Sequence, residues 1–359
     1  MPATGRNRDY RVGVVGLGGR GRQLASHWQG VPGAKVVAVA DLIPERLDQA
    51  HAAIGDVATY ADHQAMLADA NLDVVTIGTT GQYHAAITRD ACVQGIKAIY
   101  CEKPMACSLA DADVMINSCR DSGAVLQIGH QRRWMDPITR VRAAIQDGAI
   151  GQPTFGYIYW PTGRIGSNGS HFFDALNFML DSKPVEVVGR VQRGLDLSRV
   201  EEHPVYSTRS LDDPGASGVI TYANGARIAV DCLNDVLLPY TYLFGGSKGR
   251  IDLEEVSWQI DYRARDADTR SHREAWTIPA RREFARAQNG LEADGASEQR
   301  GYEEMLACIE SGAKPASTGE DGRLALETIV AFHLSSDAGV TPVSLPLPAS
   351  ANQIQLTIH

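Results

Sequence analysis

The stretch from Arg11 to Asp41, RVGVVGLGGRGRQLASHWQGVPGAKVVAVAD, decides the fold of this chain. A short apolar run, Val12 to Val15, leads directly into the glycine-rich turn GLGGRG at 16–21. A second apolar run, Lys35 to Ala40, ends at Asp41. The order strand, glycine-rich turn, helix, strand and acid is typical of a dinucleotide-binding βαβ unit.

Each part of this unit has a physical role toward a dinucleotide. Gly16 allows the tight turn, Gly18 lets a pyrophosphate approach the backbone, and Gly21 lets the helix pack closely on the sheet. The start of that helix offers N–H groups and partial positive charge to the phosphates. Asp41 suits the adenosine ribose hydroxyls and repels a 2′-phosphate, which favours NAD, whereas the nearby Arg46 leaves NADP possible.

The composition indicates a globular protein with room for two domains. The chain has 359 residues, 44% hydrophobic and 21% charged, and a net charge of −9, which argues against nucleic acid or an anionic membrane as partner. Six cysteines without a CxxC spacing predict reduced thiols in a cytoplasmic protein and no metal site. The polar N-terminus does not look like a secretory signal, and no apolar run is long enough to predict a membrane span.

The rhythm of the sequence changes near residue 131. Strands and helices alternate over 10–130, which predicts a Rossmann domain with a doubly wound parallel sheet and an α/β fold class. Residues 131–348 predict an α+β domain with an open, mostly antiparallel sheet, because strands follow one another from 184 to 276 and Asn224-Gly225 is typical of a hairpin. Helices are predicted at 137–146, 171–180, 297–311 and 322–337.

Polar residues follow two of the predicted parallel strands. Glu102-Lys103-Pro104 follows the fifth strand, and Thr79-Thr80 follows the fourth, with His84 at the start of the next helix. Ligands bind at the carboxyl ends of strands in such sheets, so these residues are expected in the cofactor crevice. For any single residue of 79–84, a helix start capped by Thr80 is an equally good interpretation. The predicted cofactor-binding residues are Gly16, Leu17, Gly18, Gly19, Arg20, Gly21, Asp41, Thr79, Thr80, His84, Glu102 and Lys103.

The second domain carries one segment with catalytic potential, RIGSNGSHFFD at 164–174. Its small polar residues predict a turn that a polar ligand can approach, followed by a helix that begins near His171. His171 and Asp174 are three residues apart and share a helix face. An Asp that orients a His makes a general base, although a single His is more often structural.

These motifs, with the block GHQRR at 129–133 and STGED at 317–321, resemble the Gfo/Idh/MocA family over about residues 10–348. That family comprises enzymes of the glucose–fructose oxidoreductase, inositol dehydrogenase and rhizopine-catabolism types. The resemblance implies a nicotinamide cofactor and a sugar, cyclitol or related polyol substrate. It also implies that the open sheet serves as an interface in a homodimer or homotetramer.

The resemblance assigns roles to individual residues. It implies that Lys103 and His171 are the catalytic pair, that Asp174 supports the histidine, and that the bond before Pro104 is cis. Many members carry an Asp four residues before the histidine, where this chain has Ser167. A proton relay through that position is therefore not expected here.

Three functions follow as hypotheses. The first is reversible hydride transfer from a secondary hydroxyl, in which His171 takes the proton and Lys103 holds the substrate oxygen. In this hypothesis Arg164 and Asn168 contact other hydroxyls, and Arg132 or Arg133 lies near the cofactor or the substrate. The second is a glycosidase or lyase that oxidises a sugar transiently with tightly held NAD. The third is a non-catalytic nucleotide-binding regulator, which the presence of both catalytic residues disfavours. Segments 160–170 and 195–215 are expected to set substrate specificity.

Overall fold

The chain divides into two compact units in a computed structural model that describes residues 9–161, 163–193, 212–233, 239–254, 259–264, 281–284 and 295–358. One unit comprises Met1–Trp134 with Asp294–Arg323, and the other comprises Met135–Ala293 with Leu324–His359. The first division lies close to the predicted boundary at 130. The predicted domains were continuous, whereas Asp294–Arg323 returns to the first unit. Burial of apolar side chains explains why this segment belongs to the first unit, because Tyr302, Met305 and Leu306 lie in the core of that unit.

The first unit is built on six parallel strands in the order β3-β2-β1-β4-β5-β6, which confirms the doubly wound fold. Its strands are β1 (Tyr10–Val15), β2 (Ala34–Ala40), β3 (Ala58–Tyr60), β4 (Val74–Ile77), β5 (Ala98–Cys101) and β6 (Val125–Ile128). Its first helices are α1 (Gly19–Trp28), α2 (Pro44–Ile54), α3 (His63–Asp69), α4 (His84–Val93) and α5 (Leu109–Ser122). The strand order reverses between β1 and β4, and ligands bind at such a switch point in open parallel sheets.

Burial on both faces explains why polar and apolar residues do not alternate along the central strands. Every residue of β4 and β5 is buried, as expected for strands covered on both faces. The late helix α8 (Ala296–Ser311) supplies Tyr302, whose ring stacks on Trp28 with centroids 4.0 Å apart. A helix from the end of the sequence therefore completes the core of the nucleotide-binding unit.

The second unit contains a nine-stranded sheet in the order β14-β13-β12-β11-β7-β10-β9-β8-β15. Its strands are β7 (Pro153–Tyr159), β8 (Pro184–Val191), β9 (Ala216–Tyr222), β10 (Arg227–Asp231), β11 (Thr241–Gly246), β12 (Gly249–Glu254), β13 (Gln259–Ala264), β14 (Arg281–Phe284) and β15 (Val343–Ser344). Its helices include α6 (Asp136–Gln146), α7 (Ser167–Leu180) and α9 (Gly319–Asp337), the last of which begins in the first unit. Within this sheet, β7 and β10 are the one parallel pair among the described strands, which confirms the mostly antiparallel arrangement.

Local sequence accounts for much of this sheet. The predicted hairpin joins β9 to β10, with Gly225 at φ 87° and the Ala226 N–H donating to Asn224 Oδ1. The strand β14 was not predicted. None of the helices in the described part of the chain is long and apolar enough to cross a bilayer.

Candidate active site

Two positions of the glycine-rich turn, Gly16 and Gly21, disfavour any residue with a side chain. Gly16 has φ 87°, which favours glycine, and a Cβ at Gly21 would lie 1.8 Å from the Gly16 carbonyl oxygen. By contrast, a Cβ at Gly18 would meet only Arg46 Nη1 at 4.0 Å, and one at Gly19 would meet nothing within 4 Å. The helix α1 begins at Gly19 without an acidic residue in its first turn. Open backbone at a helix N-terminus fits a dinucleotide pyrophosphate.

Asp41 holds the glycine-rich turn through hydrogen bonds from two backbone N–H groups. Its Oδ2 accepts a hydrogen bond from the Leu17 N–H at 2.6 Å, and its Oδ1 accepts one from the Ile43 N–H at 2.9 Å. Arg46 Nη1 lies 3.5 Å from the same carboxylate. The sequence pattern predicts only a contact between Asp41 and the ribose. The hydrogen bonds by which Asp41 holds the turn were not predicted.

The turns after β4 and β5 lie beside the glycine-rich turn, because β1, β4 and β5 are neighbours in the parallel sheet. Thr79 packs so closely that a Cβ at Gly16 would be 2.7 Å from its methyl group. His84 is 1% exposed, with Nε2 3.0 Å from the Thr79 carbonyl oxygen and Nδ1 3.2 Å from that of Met105. Burial lowers the pKa of His84 despite these carbonyl contacts. His84 therefore lies between the two turns, with a ring nitrogen close to a carbonyl oxygen of each, while Thr80 stays exposed at the surface of the first turn.

A buried ion cluster supports the turn that carries Lys103. Arg20 Nε lies 2.8 Å from Glu102 Oε1, and Arg20 Nη2 lies 2.8 Å from Glu298 Oε1. The second Glu102 oxygen accepts a hydrogen bond from the Lys103 N–H at 3.2 Å. Burial alone would raise the pKa of Glu298, but the charge of Arg20 outweighs it and the pKa lies below its usual value. Arg20 and Glu102, predicted to bind cofactor, thus contact each other in this structure, and sequence reasoning missed Glu298.

Lys103 itself is half-buried and is the second residue after the end of β5. Its bond to Pro104 is cis, as the resemblance implied. Arg132 lies in a short 3₁₀ turn, Gln131–Trp134, of the same unit. Its neighbour Arg133 is buried and pairs with Asp321 at 3.1 Å. All the predicted cofactor residues and Arg132 therefore belong to the first unit.

The second unit contributes the segment around His171, and here one prediction was wrong. The helix α7 begins at Ser167, a full turn before the predicted start near His171. Asp213 explains the extension: its carboxylate accepts the Gly166 N–H at 2.6 Å and the Ser167 N–H at 2.8 Å. Asp213 is 2% exposed. A carboxylate at a helix N-terminus satisfies N–H groups that the helix leaves unpaired and favours its dipole.

The predicted polar residues occupy the first turns of α7 and the loop before it. His171 is 7% exposed and Asp174 is fully buried one turn further along. Arg164 has φ 62°, and its Nε lies 4.0 Å from Asp213 Oδ2. Asn168 donates its backbone N–H to the Arg164 carbonyl at 2.8 Å. Arg164, Asn168, His171 and Asp174 are thus gathered on one short segment of the second unit.

Aromatic packing fixes the rotation of α7 around its axis. Phe172 stacks on Trp160 with centroids 4.5 Å apart, and Phe173 stacks on Phe332 at 5.5 Å. Both phenylalanines are buried in the core against the nine-stranded sheet. Because the two residues after His171 are held on both sides, the direction of the His171 side chain is set by the core.

Comparison with known proteins identifies the family. The model of the oxidoreductase family, NAD-binding Rossmann fold, matches residues 10–130, and that of the oxidoreductase family, C-terminal alpha/beta domain, matches residues 157–345. D-apiose dehydrogenase of Paraburkholderia graminis is 29% identical over 97% of this chain and 93% of its own length. Myo-inositol 2-dehydrogenase of Thermotoga maritima is 25% identical over 88% of this chain and 93% of its own.

Solved structures agree in fold. An oxidoreductase from Agrobacterium radiobacter in complex with NAD⁺, L-tartaric acid and magnesium has a TM-score of 0.78 at 22% identity, covering 94% of this chain and 98% of its own. Levoglucosan dehydrogenase in complex with NADH and levoglucosan also has a TM-score of 0.78, at 18% identity, over 94% of this chain and 100% of its own. With an open glycine-rich turn that fits NAD and both family domains matched, this chain belongs to the Gfo/Idh/MocA family of NAD-binding oxidoreductases.

Proposed function

We propose that this protein transfers a hydride reversibly between a secondary hydroxyl of a sugar, cyclitol or related polyol and NAD. The observation that carries the proposal is similarity along nearly the whole chain to D-apiose dehydrogenase and myo-inositol 2-dehydrogenase. One of those names denotes a sugar and the other a cyclitol, so the chemistry they have in common is oxidation of a carbon that bears a hydroxyl.

The proposed division of labour follows from charge and proton affinity. Bound NAD supplies the hydride acceptor. His171 accepts the hydroxyl proton as general base, and Asp174 supports it from the next turn of α7. The Lys103 ammonium holds the reacting oxygen and stabilises the negative charge that develops on it. Arg132, Arg164 and Asn168 bind the remaining hydroxyls.

The test is NADH formation with D-apiose, other aldoses, inositols, anhydrosugars and sugar acids as substrates. On the substrate that reacts, Lys103→Ala and His171→Ala should each lower turnover by about 10² or more. Both variants should keep the far-UV circular dichroism spectrum of the parent, and His171→Ala, which alters a residue of the second unit, should also keep its NADH affinity. Lys248→Ala, which alters an exposed lysine of the second unit, is the matched control and should retain activity.

Two outcomes would contradict the proposal. Full turnover by both variants would remove the assigned chemistry. NAD that stays bound through purification, with substrate converted but no net NADH, would favour transient oxidation in a glycosidase or lyase instead.

The cofactor preference is proposed to be NAD over NADP. The Asp41 carboxylate, 8% exposed and held by two backbone N–H groups, disfavours a 2′-phosphate. Arg46 at 3.5 Å offsets part of that repulsion. Fluorescence titration should give a lower dissociation constant for NADH than for NADPH, and equal values would contradict this assignment.

An outer row of apolar side chains supports a homodimer or homotetramer that forms through the nine-stranded sheet. Register pairs Val188 with Val219, Val219 with Ala229, Ala229 with Tyr157, and Tyr157 with Leu243. All five are exposed or half-buried, whereas the residues beside them in the strands, which point to the other face, are largely buried. Light scattering should report an oligomer for the parent and a monomer for Val219→Glu.

We place the protein in the cytoplasm, where its six free cysteines stay reduced.

A further inference from the structure

Two cysteines from different helices meet in the first unit, away from the turns that carry the cofactor residues. Cys92 lies in the last turn of α4 and Cys119 in the last turn of α5. Their Sγ atoms are 3.6 Å apart. All six cysteines of the chain are free thiols, so this contact is between two reduced sulfurs.

We propose that Cys92 and Cys119 form an oxidisable dithiol, a modification site that a hydroperoxide converts to a disulfide between α4 and α5. The two sulfurs need to approach by only about 1.5 Å to reach bonding distance. Both residues lie in terminal helical turns, whose ends are the least constrained part of a helix.

Access and reactivity favour Cys92 as the attacking sulfur. It is 8% exposed and precedes Val93, which is 78% exposed, whereas Cys119 is 3% exposed. A hydrogen bond from the Cys119 thiol, helped by the Ser122 hydroxyl, lowers the pKa of Cys92 although burial opposes the shift. A thiolate is the reactive form of cysteine, so Cys92 is the sulfur that a small peroxide reaches first.

The chemistry balances without a cofactor. The Cys92 thiolate attacks one oxygen of hydrogen peroxide, and the O–O bond breaks. The departing hydroxide takes up the proton that the Cys92 thiol released, so sulfenic acid and one water form. The Cys119 sulfur then attacks the sulfenic sulfur and displaces a second water as the S–S bond forms. The two thiols together lose two electrons and two protons, and the peroxide takes them up.

The crosslink would join the far ends of helices that begin beside the active-site turns. The helix α4 begins at His84, which already joins the turns at Thr79 and Met105, and α5 begins after Ser108. A second tie at the carboxyl ends of the helices would restrict the movement of α4 relative to α5. Oxidation requires neither NAD nor substrate, so this inference does not depend on the proposed reaction.

The experiment treats the folded, reduced protein with hydrogen peroxide and removes the peroxide. It then unfolds the protein in the presence of an alkylating agent, because all six cysteines are buried in the folded state, and measures the intact mass. The disulfide predicts two fewer alkylated thiols and a loss of about 2 Da from the unalkylated mass, both reversed by dithiothreitol. Cys92→Ser and Cys119→Ser should each abolish this change. Cys308→Ser, which alters a buried cysteine of α8, should leave it intact.

Three results would overturn the proposal. The first is an unchanged thiol count in the folded protein after peroxide treatment. The second is a disulfide that survives in either variant, because it would then involve a cysteine other than Cys92 and Cys119. The third is a gain of oxygen mass that dithiothreitol does not reverse, because that is sulfinic acid rather than a disulfide.

Discussion

Replacing Asp213 with Ala should destabilise the second unit by about 3–5 kcal/mol. The carboxylate accepts two short hydrogen bonds, from the Gly166 and Ser167 N–H groups, and each bond to a charged acceptor contributes about 1.5–3 kcal/mol. At 2% exposure, water cannot easily replace the lost acceptor. The guanidinium of Arg164, 4.0 Å away, would also lose its nearby negative charge.

Urea and thermal unfolding, followed by circular dichroism and fluorescence, measure this loss. For a unit of this size, the predicted change corresponds to a fall in Tm of about 6–20 °C. Asp213→Asn keeps one carbonyl oxygen as acceptor and should lose about half as much stability. Asp212→Ala is the matched control, because its side chain is exposed, and it should change stability by less than about 0.5 kcal/mol.

Kinetics then separate a local effect on α7 from general damage. Asp213→Asn should lower kcat on the reacting polyol, because His171, the proposed general base, follows directly after the first turn of α7. Its NADH dissociation constant should match that of the parent, since the cofactor residues lie in the first unit. If Asp213→Ala and Asp212→Ala unfolded at the same midpoint, the carboxylate would not hold the start of α7, and the reasoning would be refuted.

Three further perturbations test the first unit. Gly21→Ala would place a Cβ 1.8 Å from the Gly16 oxygen and should weaken NADH binding at least about tenfold in a fluorescence titration, whereas Gly19→Ala, with open space around its Cβ, should fold with parent stability. Glu298→Gln should cost about 1.5–3 kcal/mol in urea unfolding by weakening its bond to Arg20, and Glu303→Gln, on the exposed face of α8, should cost little. Because burial lowers the pKa of His84, the unfolded chain binds its proton at a higher pH than the folded chain does. Unfolding free energy should therefore fall as pH drops below about 6.5, and the slope should flatten in His84→Gln.

The nucleotide-binding unit was predictable because its signals are local. The glycines at 16–21 occupy positions where a Cβ is excluded or where the backbone is open to a ligand. All of them lie within six consecutive residues, so the motif can be recognised from the local sequence. The strands of the parallel sheet appear as short buried runs for the same reason. The Asn224-Gly225 hairpin likewise depends on two adjacent residues.

The residues that pack against the cofactor-binding residues from α8 were not predictable, because they come from a distant part of the chain. Glu298 pairs with Arg20 across 278 positions, and Tyr302 reaches Trp28 from the same helix. Neither residue has an unusual sequence context, since an acid or a tyrosine in an amphipathic helix is ordinary. Only the packing of α8 against the first sheet reveals that a late helix completes the cofactor unit.

The start of α7 offers an explanation for Ser167, which stands where the resemblance to the family would lead us to expect an Asp. An Asp at position 167 would place a carboxylate in the first turn of α7. Here the first turn already receives the buried carboxylate of Asp213, bonded to the Ser167 N–H at 2.8 Å and balanced by Arg164. A second carboxylate within a few ångströms would repel the first in a poorly solvated region and would need another cation. The neutral Ser167 avoids that repulsion. The negative charge near the first turn of α7 therefore comes from Asp213, 46 positions away from Ser167 in the sequence, and there it holds the start of the helix.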